Sequence, residues 1–224
     1  MFKEPLDASK QLGIGMTSER TRLRMVEELQ SLGIRQLDVL HVMSKLPRHH
    51  FVDEALASRA YENTALPIGH GQTISQPYTV ALMTQTLLDK PRHNVLEIGT
   101  GCGYQSAVLS PLVSQVTSLE CILALHRRAR DLLYDLGVRN VQCIHGDGFA
   151  GSEANAPYDG IIAAAVSDDI PEPLTDQLRD GGRMVMPLAQ NDAQWLVVVD
   201  KIAGQIVSKR IETVRFVPRL SGLF

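Results

Sequence analysis

Three glycines alternate at Gly99, Gly101 and Gly103, directly after an apolar run from Val95 to Ile98 that carries a single acid, Glu97. Glycine suits a backbone that must take positive φ and come close to a ligand, because a side chain would obstruct both. Such a ligand should lie beyond the strand's carboxyl end, beside the N-terminus of the next helix. A dinucleotide fingerprint, G-x-G-x-x-G, would need glycine at position 104, but that residue is Tyr104. Glu120 closes a second β-rich stretch 21 residues after Gly99, where a carboxylate can accept the hydroxyl hydrogens of a ribose. A third acid, Asp147, stands in Gly146-Asp147-Gly148, a triplet that is also strong turn chemistry.

These residues need elements to hold them. Short β-rich segments at 94–98, 115–120, 141–145, 160–166 and 183–187 alternate with helical patterns at 104–112 and 122–136. That alternation predicts a mostly parallel sheet with helices on both faces. Near the end, 194–202 and 205–216 flank Ala203-Gly204 and predict an antiparallel hairpin at the sheet edge. The first 66 residues read as helical and packed on the same domain. One helix is expected over 17–32, with Thr17 or Ser18 as N-cap, Gly33 as stop and Leu23, Val26, Leu29 and Leu32 as the buried stripe. Two more are expected at 37–45 and 52–61. Ser75-Gln76-Pro77 reads as an N-cap followed by a first-turn proline, opening a helix over 76–88.

The chain has 224 residues, 44% hydrophobic and 21% charged, which excludes disordered and fibrous classes. No apolar run approaches the roughly 20 residues of a bilayer span, and 1–10 lacks the apolar core of a secretory signal. A formal charge of −3 gives no electrostatic reason for a nucleic-acid partner. Three cysteines, Cys102, Cys121 and Cys143, form no CxxC pair and suggest reduced thiols in a cytoplasm. Among seven histidines only the neighbours His49 and His50 are close in sequence, and their side chains should diverge, so no metal site is expected.

The G-x-G-x-G spacing behind Glu97 resembles motif I of S-adenosylmethionine-dependent methyltransferases, whose acid lies near the methionine amino end of the cofactor. The segment Gly69-His70-Gly71-Gln72-Thr73-Ile74-Ser75-Gln76-Pro77 is more specific. Together with Pro47-Arg48-His49-His50-Phe51-Val52, Gly146-Asp147-Gly148, Ala156-Pro157-Tyr158-Asp159 and Phe216-Val217-Pro218, it resembles the protein-L-isoaspartate O-methyltransferase family over residues 16–218. The resemblance implies a Rossmann-like α/β methyltransferase sheet and S-adenosyl-L-methionine as cofactor. It further implies methyl transfer to the α-carboxylate of L-isoaspartyl residues in damaged proteins, which starts their repair. It assigns catalysis to Ser75. Glu97, Gly99, Thr100, Gly101, Gly103, Glu120, Asp147 and Gly148 are the expected cofactor contacts, with Asp147 at the adenine edge. His70, Thr73 and Ile74 are the expected substrate contacts. Departures occur at Cys102, where serine is commoner, at Cys121, where arginine is usual, and over 163–167.

One physical point supports the assignment. A carboxylate with a pKa of roughly 3.5–4 is ionised at neutral pH and needs no general base to attack a sulfonium methyl. The enzyme's task is orientation, which contributes on the order of 7–11 kcal/mol, and a hydroxyl at a helix start could hold the anion. The plainer reading of Ser75 is an N-cap for Tyr78. Two other functions stay open: a methyltransferase of another carboxylate or small molecule, and a cofactor-binding module without catalysis. A monomer is expected.

Overall fold

A computed structural model describes residues 15–218 and 222–224; the expectation for 1–10 lies outside them. Helix α1 (Glu19–Ser31) begins at Ser18, whose hydroxyl accepts the Thr21 N–H at 3.4 Å. Its buried face is Arg22, Met25 and Leu29, whereas Leu23 and Leu32 are each 45% exposed. The expected stripe of Leu23, Val26, Leu29 and Leu32 is thus corrected. Two apolar rows run along this helix, and the one facing α2 (Leu37–Lys45) is the one that packs. In place of a third helix over 52–61 there is a 3-10 turn, Glu54–Arg59, preceded by another at Arg48–Phe51. The rings of His49 and His50 do not diverge: their centroids lie 4.4 Å apart, with the His49 Nδ1 2.7 Å from the Tyr61 hydroxyl.

A hairpin follows, β1 (Leu66–Gly69) against β2 (Gln72–Ile74), too short to show as a period in the sequence. Its turn places Gly69, His70 and Gly71 all at positive φ. Helix α3 (Pro77–Leu87) has proline in its first turn, as expected, but its N-cap residue is Gln76, not Ser75. The N–H of Tyr78 is taken by the Asn63 side chain at 3.1 Å, a partner from another loop that local sequence does not reveal.

The central sheet holds β3 (Asn94–Ile98), β4 (Gln115–Glu120), β5 (Val141–His145), β6 (Tyr158–Ala163), β7 (Leu178–Gln190), β8 (Ala193–Ile202) and β9 (Gln205–Val214) in the order β5-β4-β3-β6-β7-β8-β9. The pairings from β5 through β7 are parallel, and β8 and β9 are each antiparallel to the strand before. This is the expected mostly parallel α/β sheet with an antiparallel end. Helices α4 (Tyr104–Leu109), α5 (Leu123–Asp135) and α6 (Glu172–Gln177) connect the strands. Strand β7 runs to 13 residues, far beyond 183–187, because β8 pairs with it up to the turn at Asn191-Asp192. Val166 and Ser167 leave the β6 strand and form single bridges to Pro218 and Leu188.

Alternation along β3 sends Val95 to one core, with Met25, Leu29, Phe51 and Tyr104, and sends Leu96 and Ile98 to the other, with Phe149, Leu174 and Met184. Glu97 points to the Val95 side, where α3 and α4 lie. Asp159 ties the start of β3 to β6: its Oδ2 accepts the N–H groups of His93 and Asn94 at 2.9 and 2.8 Å, and Arg179 bonds its other oxygen. Burial alone would raise this carboxyl. The two N–H groups and the guanidinium outweigh it and hold the group below the ordinary carboxylate range. Among the described residues no helix is long and apolar enough to cross a membrane.

Candidate active site

The strand order reverses between β3 and β6, so a crevice opens at their carboxyl ends. Gly99, Gly101 and Gly103 have φ of 86°, 55° and 88°, so the alternation of glycines follows the backbone's left-handed steps. The N–H groups of Gly99 and Thr100 both reach the Leu119 carbonyl, at 2.8 and 3.1 Å, which pins the loop to β4. The space beside these glycines is closed by protein. A Cβ at Gly101 would stand 3.3 Å from Ile68 of β1, and one at Gly103 would stand 3.3 Å from Leu133 of α5.

Two adjoining hollows of roughly 470 and 600 Å³ flank the loop and share Thr73, Gly99, Gly101 and Ala164. Ile74, Ser75, Glu97, Thr100 and Tyr104 line the smaller one. Here Glu97 is fully buried; its Oε2 accepts from the hydroxyls of Ser106 and Ser118, the latter at 2.8 Å. Among the described residues its Oε1 has no partner. Burial pushes the Glu97 carboxyl up to about 7, against the two serine hydroxyls and helped by the charge of Glu120. A buried carboxylate oxygen left unpaired costs free energy unless a ligand pairs with it. This oxygen is therefore well suited to an ammonium group, and the residues present fit the methionine end of the expected cofactor. Thr100 contributes main chain only, since its hydroxyl turns to Ser118 at 2.6 Å. Burial pushes the Cys102 thiol in the same wall up to about 11, so it is not a nucleophile.

Glu120, Ile98, Cys121, Ile122 and Gly148 line the larger hollow. Unlike Glu97, Glu120 has both oxygens occupied: Oε2 accepts the Gly101 N–H at 2.7 Å and Oε1 the Ile122 N–H at 3.0 Å. Each oxygen has lone pairs left for a ribose hydroxyl. Gly148 allows no side chain, because a Cβ would meet Ile98 at 2.3 Å. Asp147 accepts the Phe149 N–H at 3.1 Å and caps the 3-10 turn Gly148–Ala150. His70 lies exposed at the tip of the β1–β2 hairpin and lines neither hollow, whereas Thr73 lines both.

The structure thus gathers Thr73, Ile74, Ser75, Glu97, Gly99, Thr100, Gly101, Glu120 and Gly148 around one cleft, with Gly103 turned to α5, Asp147 acting as a cap and His70 apart. Sequence reasoning gave no site role to Gln72 and Gln105, which form walls together with Val217 and Pro218. Gln72 sits inside the motif already singled out. Val217 is held by its carbonyl to the Val166 N–H at 3.1 Å, a contact across 51 residues of sequence. Among the described residues no group of three or more His, Cys, Asp or Glu could hold a metal ion.

A doubly wound sheet, an alternating glycine loop and acids at the ends of β3 and β4 define a methyltransferase of the Rossmann-like class. Within that class, residues 20–223 match the profile of the protein-L-isoaspartate(D-aspartate) O-methyltransferase family (PCMT), and the chain belongs to it. It is 54% identical over 211 residues to the protein-L-isoaspartate O-methyltransferase of Halorhodospira halophila, covering 94% of this chain and 96% of the relative. Identity to that of Alcanivorax borkumensis is 53% over 213 residues, with 94% and 96% covered. Among solved structures, a Plasmodium falciparum chain assigned to the same activity and bound to S-adenosyl-L-homocysteine superimposes with a TM-score of 0.78 at 25% identity, covering 90% of this chain and 99% of that one.

Proposed function

We propose that this cleft carries out the family's reaction with the roles assigned below. The protein transfers a methyl group from S-adenosyl-L-methionine to the α-carboxylate of an L-isoaspartyl residue in a damaged protein or peptide. The products are a methyl ester and S-adenosyl-L-homocysteine, and the ester opens the way to repair. The observation that carries the reading is the juxtaposition, on one hollow beside the glycine loop, of Ser75 and the buried Glu97, one of whose oxygens is unpaired among the described residues.

When bound, the cofactor supplies a methyl group on a sulfonium, which an ionised carboxylate attacks without a general base. Glu97 fixes one end of the cofactor by taking its ammonium group, and the carboxylate of Glu120 takes the ribose hydroxyls. The main chain from Gly99 to Gly101 lies between them. Ser75 donates its hydroxyl to the substrate carboxylate and points one oxygen toward the methyl carbon. Thr73 and Ile74 wall the entrance, and Val217 and Pro218 cover the far side and help exclude water. In-line placement of oxygen, carbon and sulfur is the whole of the catalysis required of the chain. The reading extends to a monomer working in a cytoplasm on exposed, flexible stretches of many proteins. The three free cysteines support the cytoplasmic part of that extension.

The test uses labelled S-adenosylmethionine and two peptides that differ only in an isoaspartyl or a normal aspartyl linkage. Label should enter the first alone; equal labelling, or none, rejects the assignment. Ser75→Ala should lower turnover at least tenfold with little change in melting temperature, because Ser75 is not the cap of α3.

A further inference from the structure

Arg48 is a fully buried residue in a 3-10 turn outside the cleft's lining, and none of the roles above uses it. Its Nε donates to the Ala60 carbonyl at 2.8 Å and its Nη2 to the Ser75 carbonyl at 2.7 Å. The guanidinium carbon lies 4.7 Å from the centre of the Tyr104 ring, and Tyr104 is itself a wall of the Ser75 hollow. Among the described residues no carboxylate pairs with it, and its Nη1 is without a partner. Burial works against its charge and lowers its pKa. A buried cation without a counter-ion is an expensive way to fill space, and an apolar side chain of similar volume is often neutral or better for stability. What the guanidinium does that an apolar group cannot is hold two main-chain carbonyls, 15 residues apart in sequence, in one rigid fork.

The second of those carbonyls is that of Ser75. Among the described residues no hydrogen bond holds the Ser75 hydroxyl itself, so the main chain at residue 75, which fixes where the side chain starts, is what limits the directions it can take. Beyond the β1–β2 pairing that ends at Ile74, two side chains act there: Arg48 on the carbonyl and, three residues on, Asn63 on the Tyr78 N–H at 3.1 Å. We infer that Arg48 is a positioning residue for methyl transfer, fixing the main chain of Ser75 from behind so that the serine hydroxyl faces the substrate carboxylate. This rests on the role of Ser75 proposed above.

A double-mutant cycle tests it. The variants Arg48→Met, Arg48→Lys, Ser75→Ala and the two doubles are compared by kcat at saturating isoaspartyl peptide and S-adenosylmethionine. Turnover is expressed per S-adenosylhomocysteine-binding site. Arg48→Met should lower kcat at least tenfold while the Kd for S-adenosylhomocysteine stays within threefold. In the Ser75→Ala background the same change should cost less than twofold. Arg48→Lys keeps the charge without the fork and should show the same coupling; its cycle decides should Arg48→Met fail to fold. Penalties that multiply independently of Ser75, or an unchanged kcat, overturn the inference. Loss of S-adenosylhomocysteine binding in both variants also overturns it, since Arg48 would then be a prop of the whole cleft. If Ser75→Ala alone keeps full turnover, it is the serine's own role that fails, and the single variant shows this.

Discussion

The two halves of the cleft treat their acids in opposite ways. On the Ser75 side the fold leaves charge unsatisfied: Glu97 is fully buried, and among the described residues one of its oxygens is unpaired. On the Glu120 side the fold satisfies its own acids, with the Gly101 and Ile122 N–H groups on Glu120 and the Phe149 N–H on Asp147. A buried polar atom left unpaired costs about 1–3 kcal/mol until something pairs with it. The first half therefore holds free energy that only a ligand can recover, whereas the second uses its acids to shape the loop the ligand rests on. Loss of an acid should damage binding in the first half and folding as well as binding in the second.

The largest effect is expected at Glu97. Glu97→Gln keeps the shape and removes the charge, so the Kd for S-adenosylhomocysteine should rise about 100-fold, the equivalent of roughly 2.7 kcal/mol. Thermal stability without ligand should not fall. Calorimetric titration checks both, and a Kd within threefold of wild type would erase the contrast between the halves. A smaller effect of the same origin is a pH dependence. The Glu97 carboxyl titrates near 7 in the free protein, above the ordinary carboxylate value, because it is buried. A raised value means that ionisation opposes folding, so the stability tied to this group declines as pH rises through about 7. Ligand binding needs the ionised form, so affinity should move the other way, tightening about tenfold from pH 6 to pH 8 in wild type and staying flat in Glu97→Gln.

Glu120 sharpens the contrast from the other side. Glu120→Ala should weaken cofactor binding about five- to tenfold, but it also strands the Gly101 and Ile122 N–H groups, at about 1–3 kcal/mol each. A fall in melting temperature of several degrees should accompany it. Loss of affinity with no thermal change would mean that the two N–H bonds do not shape the loop.

What the sequence showed of this arrangement divides along the same line. The bounds of β3, β4 and β5 and the left-handed glycines could be read directly, since alternation and φ preference are properties of a few adjacent residues. The place of Glu97 and Ser75 beside the glycine loop was legible through motif spacing. What stayed hidden depended on distant partners: Asn63 rather than Ser75 at the start of α3, the Arg22–Met25–Leu29 face of α1, the length of β7 and the Arg48 bond to Ser75. The Glu97–Glu120 difference was equally invisible. Both are acids closing apolar strands, and only the loop geometry gives one of them main-chain partners and leaves the other with a bare oxygen.

Asp147 is where the contrast can be broken most cleanly, although the expected effect is the smallest. Its family-based role is a contact to the adenine edge, while its observed bond is the cap on Phe149 at 3.1 Å. Removing a side-chain cap typically costs about 1 kcal/mol, which for a chain of 224 residues is a shift of roughly 2–4 °C. Asp147→Ala should therefore lower the melting temperature by a few degrees and raise the Kd for S-adenosylhomocysteine by threefold or less. Asp147→Ser, which can still accept the Phe149 N–H, should recover the stability. A tenfold loss of affinity in both variants would show that Asp147 contacts the ligand directly, and that the satisfied half of the cleft spends its acids on the ligand as the other half does.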